Sequence, residues 1–94
     1  MRARYARRAK DDLVEIYTYI AEDNPLAARQ VIAKIREGVK HLARHPHLGR
    51  AGRVADTREL VIPRFPYIAV YRVRDDDVQI LSFFHSSREW PDEF

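Results

Sequence analysis

The stretch TRELVIPRFPYIAVYRVRDDDVQILSFFHSSREWP, from Thr57 to Pro91, decides how this chain reads. Tyr67 to Val73 is rich in β-branched and aromatic residues and is apolar on both faces at its start, which predicts a central strand. Asp75, Asp76 and Asp77 supply a turn, and Val78 to His85 returns as a second long strand. Arg58 to Ile62 predicts a third strand beside them. It ends at Pro63 and Pro66, because two prolines spaced in this way cannot continue a central strand. The last strand then delivers His85, Arg88 and Trp90 to one rim of a β-meander.

Outward from that meander, the N-terminal half reads as helices that cover it. Leu13, Ile16, Tyr17 and Ile20 fall on one stripe of a helix from about Lys10 to near Asp23. Asp11, Asp12 and Glu15 are expected in its first turns, where carboxylates oppose the positive end of the helix dipole. Asn24-Pro25 stops this helix and caps the next. The second helix carries Ala28, Ile32, Ile35, Val39 and Leu42 on one face and ends at His45-Pro46. Gly38 inside it marks either a close crossing over the sheet or, as the preferred reading, a tolerated surface glycine. Before the first helix, the alternation of Arg2 and Arg4 with Ala3 and Tyr5 permits an edge strand. His47 to Asp56 is a loop broken by Gly49 and Gly52, with Arg50 and Arg53 expected to be exposed. The sum is an α+β fold, a helix hairpin packed on a small twisted antiparallel sheet, in one domain over residues 1–94.

Composition narrows the function classes. The chain has 94 residues, no cysteine and a formal net charge of +3. Disulfides, thiolate metal sites and a cysteine nucleophile are therefore excluded. No window approaches the roughly 18–20 apolar residues of a membrane span, and no charged-then-apolar leader opens the chain, so a soluble cytoplasmic protein is expected. Basic residues cluster at residues 1–10 and again in Lys40, Arg44, Arg50 and Arg53, which suits an acidic partner. There is no glycine-rich phosphate loop, no nucleophile elbow and no paired His/carboxylate spacing for a metal. His41 and His45 stand four residues apart at a helix C-terminus, where capping explains them. Neither a cofactor nor a metal is expected.

The rim is where chemistry could reside. Cleavage of RNA by its own 2′-hydroxyl needs a group that moves protons and cations that hold the phosphate as charge builds on it. His85 suits the first role, with Arg88, Arg58 and Arg53 suited to the second. Trp90 or Tyr67 suits stacking on a base. Against this, a histidine at a strand end is as readily a structural hydrogen-bonding group, and Trp90 before Pro91 a lid on the core.

In their order and spacing, AKDDLVEIYTYIAEDNPLAA, HPHLGRAG, TRELVI, FPYIAVYRV and HSSREW resemble the RelE/ParE superfamily of toxins from type II toxin–antitoxin, or plasmid stabilization, modules. The resemblance covers nearly the whole chain. It implies two helices on a twisted sheet, a growth-inhibiting activity and a cognate antitoxin that wraps the toxin in a hetero-oligomer. RelE-like members are ribosome-dependent ribonucleases that cut messenger RNA, whereas ParE-like members poison DNA gyrase. The ribonuclease branch usually has an arginine after the aromatic residue that opens the central strand; here Ile68 follows Tyr67. Arg88 is a fair match to that branch's C-terminal arginine, but its tyrosine is absent. The Asn-Pro junction and the HPHLGR loop resemble the ParE side. The resemblance thus implies a ParE-like binding toxin, with Arg50, Arg53, Arg88 and Trp90 toward its partners. The alternative is a ribonuclease using His85, Arg88 and Arg58.

Overall fold

A five-stranded sheet in the order β1-β5-β4-β3-β2 carries the fold in the computed structural model, which describes residues 1–87. Arg88 and Trp90 lie outside the described residues. The strands are β1 (Arg2–Tyr5), β2 (Arg50–Ala51), β3 (Arg58–Val61), β4 (Tyr67–Arg74) and β5 (Asp77–His85), and the helices are α1 (Arg7–Ala21) and α2 (Pro25–Arg44). The N-terminal segment is an edge strand, as its alternation suggested. Its pairing with β5 is parallel, from Arg2 beside Asp77 to Tyr5 beside Ile80. The sheet is therefore mixed rather than wholly antiparallel. Parallel pairing follows from the path of the chain, which leaves β1 into α1 and returns to the sheet from the far side.

The meander forms as read, except that Asp77 opens β5 and is not part of the turn. Asp75 and Asp76 join β4 to β5 as a two-residue turn in which both have positive φ, 52° and 64°. A primed hairpin turn requires that backbone, and aspartate tolerates it better than most side chains. Partway along the hairpin, Val70 pairs with Ser82 and Tyr71 with Ile80, so Leu81 is an extra residue in β5. Such a bulge increases the local twist of the strand.

Asn24 caps α2 through its side-chain Oδ1, which accepts the Ala27 N–H at 3.0 Å, and Pro25 occupies the first turn. The α1 helix begins at Arg7, earlier than Lys10, and has no acidic residue in its first turn. Asp12 is consequently one turn further in and serves another purpose. Where β1 stops, the outer edge of β5 runs on without a strand neighbour. There Asp12 Oδ2 accepts the Phe83 N–H at 3.0 Å and the Ser82 hydroxyl at 2.5 Å. A strand N–H that the ladder leaves unpaired is thus satisfied by a helix side chain.

Leu13, Val31, Ile35, Val39 and Leu42 of the helices meet Ile62, Tyr67, Ala69, Tyr71, Val78, Ile80 and Phe83 of the sheet in one core. Ile68, Val70 and Phe84 alternate with these and are also buried, in keeping with the unbroken apolar run of β4. Gly38 is not a surface glycine. A Cβ there would stand 3.2 Å from Ile62 Cδ1 and 3.4 Å from Leu60 Cδ2, so its bare backbone lets α2 pass close over the sheet.

Candidate functional site

Arg58, Glu59 and Tyr71 hold the loop between α2 and β3, and this decides what several of the basic residues do. Glu59 is only 2% exposed. Its Oε1 accepts from Arg50 Nε at 3.2 Å and Nη2 at 3.1 Å, and its Oε2 accepts the Arg53 N–H at 2.8 Å. Arg58 Nη1 donates to the Gly49 carbonyl at 2.9 Å. The Tyr71 hydroxyl donates to the Pro46 carbonyl at 2.8 Å and accepts the Gly49 N–H at 2.8 Å. Gly49 is required at that crossing, because a Cβ would meet the Tyr71 hydroxyl oxygen at 2.6 Å and the Glu59 carbonyl at 2.8 Å. The HPHLGRAG loop is therefore shaped by what lies beneath it. The guanidinium groups of Arg50 and Arg58 are engaged in that latch.

Burial raises the pKa of Tyr71 above the ordinary tyrosine value, with Gly49 and Arg58 opposing it. A raised folded-state value contributes stability below the unfolded pKa of about 10, and that stability is lost as pH climbs through the folded value. Tyr71→Phe strands two polar backbone groups of the loop at once. It is expected to cost about 2 kcal/mol, read by denaturant unfolding, and to remove the part of the alkaline instability that Tyr71 causes. An unchanged midpoint would mean that water replaces the hydroxyl.

His85 lies at the end of β5, opposite Tyr67 of β4. The two rings meet edge-on, with centroids 5.5 Å apart and planes at 86°. The Ser87 N–H donates to His85 Nδ1 at 3.2 Å, and the Ser87 hydroxyl is 2.7 Å from the same nitrogen. Nδ1 is thereby the acceptor, which assigns the proton of the neutral ring to Nε2. These residues share a pocket of about 300 Å³ with Asp12, Glu15 and Tyr19 of α1. The sequence alone pairs no carboxylate with His85. The α1 helix brings two, because its register along β5 could not be read from spacing.

Arg58 does not join them. It stands opposite Tyr71, four residues along β4 from the partner of His85, and so about 13 Å away along the strands. Among the described residues, no arginine or lysine lines the His85 pocket. Carboxylates and aromatic rings there favour cationic or uncharged groups over a phosphodiester. Ile68, the residue that follows Tyr67, is buried on the sheet face away from the helices.

A larger groove of about 1140 Å³ opens at the β1 edge, between that strand, the start of α1 and the end of α2. Ala3, Leu13, Val14, Val39 and Ala43 give it an apolar floor, and Lys10, Arg36, Lys40 and Arg44 give it a cationic rim. Val14 is 65% exposed. Tyr5, also in the lining, has its pKa raised by burial, with the nearby Arg36 charge opposing. No carboxylate is among the described residues of this groove. The sequence reading placed the basic residues in two segments of the chain but did not show that β1 and α2 bring them to one edge. Among the described residues no three His, Asp or Glu gather to hold a metal, and no helix is long and apolar enough to cross a membrane.

Comparison with known proteins gives consistent matches. The family model described as ParE toxin of type II toxin-antitoxin system, parDE, matches residues 3–90. Y4kP of Sinorhizobium fredii (strain NBRC 101917 / NGR234) is 46% identical over 90 residues, covering 96% of this chain and 93% of that protein. Toxin RelE2 of Caulobacter vibrioides is 37% identical over 81 residues, covering 86% and 90%. Among solved structures, a chain of the chromosomal ParDE system from P. aeruginosa superposes with a TM-score of 0.80 at 32% identity, covering 90% of this chain and 95% of that one. A chain of the E. coli RelBE toxin-antitoxin complex superposes at 0.67 over 93% and 98%. At 14% identity it speaks to the fold alone.

Proposed function

This chain belongs to the ParE toxin family of type II toxin–antitoxin systems, and from that premise we propose that it arrests growth by binding DNA gyrase in the cytoplasm rather than by cutting RNA. The separation of Arg58 from His85 carries this reading. A transesterifying ribonuclease needs its proton-transfer group and its phosphate-holding cations around one phosphodiester. Here Arg58 is committed to the loop, and the pocket around His85 is lined by Asp12 and Glu15.

The measurement is inhibition of gyrase supercoiling by the purified toxin, set beside cleavage of ribosome-bound message. His85→Ala is expected to leave supercoiling inhibition and growth arrest within about twofold of the parent, since a strand-end histidine that contributes no chemistry costs little to lose. Message cleavage that disappears in His85→Ala would overturn the proposal and establish the ribonuclease.

The cognate antitoxin docks, in this proposal, in the groove at the β1 edge. An apolar floor inside a purely basic rim fits an acidic amphipathic segment, with its apolar side chains seated on Leu13, Val14 and Val39. Arg36, Lys40 and Arg44 meet its carboxylates.

A further inference from the structure

The face of the sheet away from the helices carries a second basic surface, of different chemistry from the groove. Cross-strand register lines up Arg2, Asp77 and Arg74 in one row and Arg4, Gln79 and Arg72 in the next. The residues that alternate with them, Ala3, Tyr5, Val73, Val78 and Ile80, belong to the core or pack against it, so the rows face the other way. Four arginines thus stand on β1 and β4 about 7 Å apart along each strand and about 10 Å apart across β5, with Arg2 also bordering the groove at the β1 edge.

Their present partners compete unequally. Arg4 Nε lies 2.8 Å from Asp77, and Arg74 Nη2 lies 2.5 Å from Asp56, whose side chain is 70% exposed. Arg72 Nε donates to Gln79 at 2.9 Å. The Arg74–Asp56 pair is exposed on both sides and contributes only about 0–1 kcal/mol, so a polyanion displaces Asp56 first; Asp77, at 23% exposure, holds Arg4 more firmly.

We propose that this arginine face grips the phosphate backbone of duplex DNA without reading its sequence. The composition of the rows selects this ligand. They contain no apolar side chain, whereas a protein partner would need an apolar centre, and protein–DNA contacts are polar and strongly positive. They contain no aromatic ring on which an unpaired base could stack, which separates this surface from a single-strand binder. The proposal does not rest on which protein the toxin targets.

The test is fluorescence anisotropy of a short random-sequence duplex with the full-length toxin, from about 50 to 200 mM salt. Engagement of four phosphates predicts a log–log salt slope of about −3.6 and a roughly 100-fold loss of affinity across that range. Arg4→Gln with Arg72→Gln is expected to lower the slope by about 2, while Arg36→Gln with Lys40→Gln in the groove leaves it unchanged. Asp56→Asn removes the competitor of Arg74 and is expected to tighten binding severalfold, a gain that a misfolded variant cannot produce. Absence of saturable binding at the lowest salt would overturn the proposal. So would a slope that falls with the groove variant instead, or tighter binding of single-stranded RNA of the same length.

Discussion

Arg50→Ala is expected to destabilise the protein by about 2–3 kcal/mol, with a melting temperature lower by roughly 10–20 °C. The cause is the carboxylate it abandons. Glu59 is buried, and its Oε1 is held by Arg50 alone among the described hydrogen bonds, while Oε2 keeps the Arg53 N–H. Removing the guanidinium leaves a charge in a poorly solvated place, which is the costly way to break such a pair. The value sits at or below the usual range for a buried pair because the Arg50 side chain is 56% exposed and water can enter behind it. In a Glu59→Gln background the same substitution is expected to cost less than half as much, since an amide tolerates the site without a counterion. Thermal melts of the two single variants and the double variant measure that coupling. Equal costs in both backgrounds would show that Arg50 acts through packing and not through Glu59. Loss of antitoxin binding or of toxicity in Arg50→Ala would then be the mark of a loosened loop, and would not identify Arg50 as a contact.

Reversing the groove charges, with Arg36→Glu and Lys40→Glu together, is expected to slow antitoxin association roughly 10- to 100-fold at low salt. Both side chains are exposed on α2, so the fold tolerates the change. The difference from the parent should shrink as salt is raised, because the steering field is screened within about 8–10 Å at physiological ionic strength. In cells the doubly reversed toxin should escape neutralisation and stop growth even when antitoxin is co-expressed. Stopped-flow association at two salt concentrations decides the matter. Rates that match the parent at low salt would place the antitoxin elsewhere on the molecule.

Much of this architecture was legible because it is written locally. The Asn24-Pro25 junction, the stripes on both helices apart from Tyr17, which is 39% exposed, and the aspartate turn all depend on residues within a few positions of one another. The alternation of the first strand is equally local. What escaped the sequence reading depends on distance along the chain. Tyr71 bonds to Pro46, 25 residues away, and Asp12 bonds to Ser82, 70 residues away, and neither contact leaves a period or a spacing to detect. Glu59 carries no local mark of its role, yet it is the buried anchor of a loop. At Gly38 the close crossing over the sheet holds and not the preferred surface glycine, a choice that only the approach of Ile62 decides. At the His85 end the sequence identified the histidine and the tyrosine beside it. It could not foresee that α1 would surround them with carboxylates and that the β3 register would hold Arg58 apart.

The parallel pairing of β1 with β5 also bears on how such a protein is made. Arg2 finds its partner only at Asp77, 75 positions later, so the sheet cannot close until β5 has left the ribosome. Pairings that span so much chain form slowly, because the loop must be closed before the contact stabilises anything. The β1 edge of the groove is complete only once that last strand is in place. A ribosome translating this message therefore carries an open sheet until β5 has emerged, and the groove at the β1 edge offers its full wall only after that.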